Sequence, residues 1–171
     1  MMKQLFIAAL LCITTPTTFA MSHGGKNHQG HMQSMPIQSS FESQSQDGFT
    51  FEKFAARARI GMAPNSGIYG QIAIENGNDT LVAARTSVAT RVELHEHIHD
   101  NGVMRMREVE GGLSIQAEQP LEMKPGGYHI MLIGLTGPLD DGTTVDLEFE
   151  FASGKVITLQ VPVVSVTKMP H

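Results

Sequence analysis

Between Phe49 and Thr167 the chain consists of short extended runs broken by turn residues, and no stretch keeps a 3.6-residue apolar period over a helical length. That excludes a helical bundle. Residues 68–74 alternate and stop at Asn76-Gly77-Asn78-Asp79. Runs at 81–84, 91–98 and 102–106 follow, with Asn101-Gly102 as a two-residue hairpin candidate. A run at 128–135 follows the turn Lys124-Pro125-Gly126-Gly127, and runs at 143–151 and 155–164 flank Ala152-Ser153-Gly154. Many strands at a spacing of roughly ten residues predict an all-β fold, an antiparallel Greek-key sandwich or barrel.

The domain read this way occupies residues 48–167, and two different segments precede it. Residues 1–20 read as a signal peptide: Lys3, the apolar run 5–13, and Thr18-Phe19-Ala20 as a cleavage site. The run is shorter than the about 20 apolar residues needed to cross a bilayer. Leu10 and Leu11 stand before Cys12 where lipoprotein processing wants small residues, so lipidation is not expected. Cleavage after Ala20 would remove the one cysteine, leaving no disulfide, thiolate ligand or thiol nucleophile. Residues 21–47 are mostly Ser, Gln, Gly, His and Met, too polar to offset their ordering entropy, and are expected to be a disordered tail. The expected compartment is the periplasm. Lys+Arg 12 against Asp+Glu 17 gives a formal charge of -5, which argues against a nucleic-acid binder.

Strand alternation sorts the remaining side chains by face. Val92 and Leu94 share one face, so Glu93 and His95 share the other; Val103 opposes Met104 and Met106; Ile130 and Leu132 oppose His129 and Met131. The His and Met residues thus avoid the faces expected to build the core. They form the pairs Met104/Met106 and His129/Met131 and the cluster at His95, His97 and His99. Side chains at i and i+2 are about 7 Å apart, close enough for donors on neighbouring strands to reach one ion.

Soft thioethers combined with imidazoles favour Cu(I). Zinc would prefer thiolate, imidazole or carboxylate, and calcium wants oxygen donors. Methionine also fills gaps in cores, and Met62 and Met123 are read that way. In the tail, His23, His28, His31, Met32 and Met35 are further candidates for metal capture. A mature start at Met21-Ser22-His23 would offer an amine, two backbone nitrogens and an imidazole, a square-planar set suited to Cu(II).

The order His95, ten residues, Met106, twenty-two residues, His129, one residue, Met131 resembles the His…Met…His-x-Met signature of the periplasmic copper chaperone A (PCuAC) family. Residues 91–95, 102–107, Val109-Glu110-Gly111-Gly112 and 124–132 fit the same pattern, and the resemblance covers residues 50–165. It implies a cupredoxin-like β-sandwich that binds Cu(I) through two His and two Met. By position His95, Met106, His129 and Met131 inherit the ligand roles, while Met104 flanks them and His97 or His99 could replace or supplement His95. It further implies delivery towards the copper subunit of cytochrome c oxidase, with a Sco-type thiol protein as another copper-accepting partner. Where many relatives carry a Trp, this chain has Phe54-Ala55-Ala56-Arg57, read as a packing change. Met169 and His171 are the only such side chains at the far end.

The expected mechanism is transfer and not catalysis. No Gly-x-Ser-x-Gly motif is present, and adjacent strand residues such as His95 and Glu96 point to opposite faces. Copper storage or detoxification, and a metal-free adhesion or assembly sandwich, are the alternatives.

Overall fold

The computed structural model describes residues 41–169. They form eleven strands: β1 (Gln44–Gln46), β2 (Phe49–Arg57), β3 (Asn65–Ile74), β4 (Asn78–Arg85), β5 (Ala89–Asp100), β6 (Val103–Glu108), β7 (Leu113–Gln116), β8 (Leu121–Met123), β9 (His129–Leu135), β10 (Thr144–Phe151) and β11 (Val156–Val164). A 3-10 turn at Val166–Lys168 follows. Among the described residues no helix is long and apolar enough to cross a membrane.

The strands pair in the order β6-β5-β9-β3-β2-β11-β10-β4-β7, with β1 added to β2 and β8 to β3. Non-consecutive neighbours such as β5-β9 and β2-β11 give the crossover connections expected of a Greek-key sandwich. Strand β11 runs antiparallel to β10 along most of its length, then pairs parallel with β2 at Val163 and Val164. It thereby joins two layers. Between them Phe49 stacks on Phe151 with ring centroids 4.2 Å apart, and Phe51 and Phe54 each lie 5.3 Å from Phe149. Strands β2 and β10 are not paired, so these rings meet across the sandwich, Phe49 stacked on Phe151 and Phe54 edge-on to Phe149.

The core follows strand alternation. Phe49 and Phe51 of β2, Ile68 and Ile72 of β3, Ile130 and Leu132 of β9, and Val145, Leu147, Phe149 and Phe151 of β10 are all buried. Phe54, in the region where the resemblance leads one to expect Trp, is buried at the end of this aromatic stack. A smaller apolar cluster on another face holds Ala55, Tyr69, Val164 and Met169, with Phe41 against it.

Some expectations need revision. Met123 is a core side chain, but Met62 is 87% exposed and fills no gap. Val103, assigned to a core face by alternation, is exposed, because β6 is the edge strand and every residue on it is open to solvent. Strands β7 and β8 are only four and three residues long, yet both alternate buried and exposed residues. Strand β1 lies inside the stretch read as tail, and Met169 is buried beyond the expected end at 167.

Candidate metal centre

The site is laid out by two strand pairings. Strands β5 and β6 are joined by Asn101 and Gly102, with φ of 50° and 80°, the positive pair that a two-residue hairpin requires. With Asp100 opposite Val103, this turn sets His99 against Met104, His97 against Met106 and His95 against Glu108. On the other side β9 sets His95 against His129 and Glu93 against Met131. Directly opposed residues of an antiparallel pair share a face. Hence Glu93, His95, His97, His99, Met104, Met106, His129 and Met131 all lie on one face. Leu94, Ile130 and Leu132 anchor the opposite face in the core.

His95 is at the focus of the four residues that the resemblance singles out. His129 is its direct neighbour, and Met106 and Met131 are each one diagonal step away, on β6 and β9. The rings of His95 and His129 are 5.7 Å apart, and His97 stacks on His129 at 5.0 Å. His99 and Met104 lie further along towards the turn, both exposed. Among the described residues no three His, Cys, Asp or Glu side chains are grouped so as to hold an ion by themselves. His23, His28, His31, Met32 and Met35 lie outside the described residues, as does His171. Met169 packs in the apolar cluster with Tyr69 and is not a free donor.

Exposure is graded across the face. His129 is buried at 2%, the His95 side chain is 13% exposed, Met131 is half-buried, and Met106 is 45% exposed. An ion bound here would therefore be held from below by imidazole and approached from above beside a solvent-facing thioether. Burial holds the His129 imidazole below its ordinary pKa; the nearby His97, His95 and Arg57 push the same way, against a hydrogen bond to Gly127. A ring kept neutral is a ring whose lone pair is open to a metal.

The hydrogen bonds orient the donors. His129 Nδ1 lies 3.1 Å from the carbonyl oxygen of Gly127, which aims Nε2 away from the backbone. The same carbonyl lies 3.4 Å from His97 Nδ1 and accepts from the His97 backbone N–H. Glu93 Oε2 lies 2.7 Å from His95 Nε2, and His95 Nδ1 is buried with no hydrogen-bond partner. An unpartnered imidazole nitrogen on a ring that neighbours a second imidazole, with two methionines one diagonal step away in the strand register, belongs to a donor set that suits a soft monovalent metal. Sequence reasoning missed three contributors. Tyr69, its ring 6.0 Å from that of His129, walls the site, and Gly127 acts through a backbone carbonyl that no motif reveals. Glu93 could have been found, since it precedes His95 by two residues on the same face.

Comparison with known proteins agrees with this architecture. Residues 49–163 match the family described as "Putative lipoprotein LpqE-like". A Leifsonia xyli subsp. xyli protein that is also named a putative lipoprotein is 38% identical over 88 residues, which is 52% of this chain. The match spans about half (53%) of that relative's length. Among solved structures, the apo PCuAC domain from PmoF1 superposes with a TM-score of 0.61 at 15% identity, covering 72% of this chain and 99% of that domain. The copper-bound PCuAC domain from PmoF2 gives 0.59 at 14% identity, over 72% of this chain and 98% of that domain. The Cu(I) form of DR1885 from Deinococcus radiodurans gives 0.56 at 26% identity, over 66% of this chain and 76% of that one. The fold is PCuAC-like.

Proposed function

This chain belongs to the LpqE-like family, and on that premise we propose that it is an exported copper carrier that holds Cu(I) between His95, Met106, His129 and Met131. The observation that carries this is the meeting of two imidazoles and two thioethers from three strands on one face, with one imidazole nitrogen buried and unpartnered. The likeness to the Cu(I) form of DR1885 supports the choice of metal. Neutral donors bind Cu(I) without accumulating charge, and the exposed Met106 is the ligand a recipient's donor can displace first. The activity is hand-over and not bond chemistry. Export to the periplasm is proposed from residues 1–20; the lipoprotein description of the family supports a place outside the cytoplasm, although lipidation of this chain is not expected.

X-ray absorption on the Cu(I)-loaded mature protein tests the site: about two sulfur and two nitrogen neighbours are expected from this donor set, and a shell without sulfur would refute it. The recipient is proposed to be the copper subunit of cytochrome c oxidase, directly or through a Sco-type thiol protein. Loss of oxidase copper in a deletion strain, restored by the wild-type gene and not by Met131→Ala, is the expected result. Normal oxidase with copper sensitivity would favour storage or detoxification instead, the reading that the His/Met-rich tail supports. For residues 21–40 we propose Cu(II) capture, centred on His23 when the mature chain begins at Met21.

A further inference from the structure

Two imidazoles in the copper site are steered by different acceptors, and the acceptors act on different ring nitrogens. The Gly127 carbonyl engages Nδ1 of His129, whereas the Glu93 carboxylate engages Nε2 of His95. Glu93 is itself pinned: Arg91 Nε lies 2.7 Å from its Oε1, so both carboxylate oxygens are committed. Both the Glu93 and His95 side chains are only 12–13% exposed, which limits competition from water.

We infer that Glu93 is a positioning residue that selects Nδ1 of His95 as the nitrogen offered to Cu(I), so that the two histidines ligate through opposite ring nitrogens, His95 by Nδ1 and His129 by Nε2. This rests on the copper-site reading above. An ionised carboxylate can only accept, so the neutral His95 ring must carry its proton on Nε2, and its lone pair is then on Nδ1. That atom is the one left buried without a partner. Leaving a buried polar atom unpaired is costly, and a bound cation removes the cost. An imidazole held by a carboxylate is also a more basic donor. On His129 the same logic runs the other way: its Nδ1–H donates to Gly127, leaving Nε2 bare. The parity of β5 makes the arrangement local, because Arg91, Glu93 and His95 follow one another at i, i+2 and i+4 on a single face.

The test is long-range proton–nitrogen NMR on the full mature chain with labelled histidine, without and with Cu(I), which is diamagnetic. The expected apo form has His95 protonated at Nε2, and copper shifts Nδ1 of His95 and Nε2 of His129. A copper-induced shift at Nε2 of His95 overturns the inference and leaves the copper site standing; no shift on either ring overturns both. Glu93→Ala should mix the His95 tautomers and weaken Cu(I) binding about tenfold or more. Glu93→Gln, which leaves one acceptor oxygen for the two donors Arg91 and His95, should give a tautomer mixture and an affinity between those of wild type and Glu93→Ala. Unaltered tautomer and affinity in Glu93→Ala would refute the role.

Discussion

His95 and His129 stand directly opposite each other on β5 and β9, with ring planes inclined at 69° and centroids 5.7 Å apart. Neither ring lies flat on the other, so each can turn a nitrogen towards a shared ion. His129→Ala or Met131→Ala should therefore lower Cu(I) affinity severalfold or more while the circular dichroism stays that of a β-sandwich. A competition titration in which both variants match wild type would contradict the ligand assignment.

The pH behaviour of the apoprotein follows from the buried His129. Its pKa is held below the ordinary 6.5, chiefly by burial. The unfolded chain takes up a proton at that ordinary value, while the folded ring resists it until lower pH. The stability tied to this ring is therefore complete above about pH 6.5 and declines as the pH falls from there towards the folded pKa. Denaturant midpoints measured from about pH 8 to about pH 5 should fall more steeply for wild type than for His129→Gln. Parallel curves would show that the ring is not the cause.

Within the motif Val109-Glu110-Gly111-Gly112, the last glycine has a packing role. Gly112 has φ of 91°, and a side chain there would collide with the carbonyl oxygen of Leu81 on the paired strand β4. Gly112→Ala is expected to cost about 2 kcal/mol or more and to lower the melting temperature. Cu(I) affinity of the folded variant should be unchanged. A loss of affinity with full stability would reassign the motif to the site.

The tail and the domain should divide the copper chemistry. Deleting residues 21–40, which stops short of β1, should leave one Cu(I) equivalent and abolish Cu(II) uptake. Retention of Cu(II) binding by the shortened chain would refute that division, and mass spectrometry of the mature start tests the Met21-Ser22-His23 arrangement separately.

Much of the fold was legible because its signals are local. Alternation placed Leu94, Ile130 and Leu132 in the core, and Asn101-Gly102 announced a hairpin whose two-residue length fixes the register of β5 on β6. Alternation fails where its premise does: Val103 lies on an edge strand with no buried face, and Met62 in a loop. The same local rules put the His and Met residues off the core faces. They could not say which of them would meet.

What the sequence alone determined, then, is the donor chemistry and the sidedness of each strand, since both follow from residue type and a two-residue repeat. Only the tertiary structure decided that β9 lies beside β5 and not beside a neighbour in sequence, which brings His129 to His95 across more than thirty residues of chain. It also decided that Glu93 and the Gly127 carbonyl would hold those rings and that Tyr69 would pack its ring beside one of them. Long-range pairing and burial depend on how whole layers pack, and no single stretch of the chain encodes them.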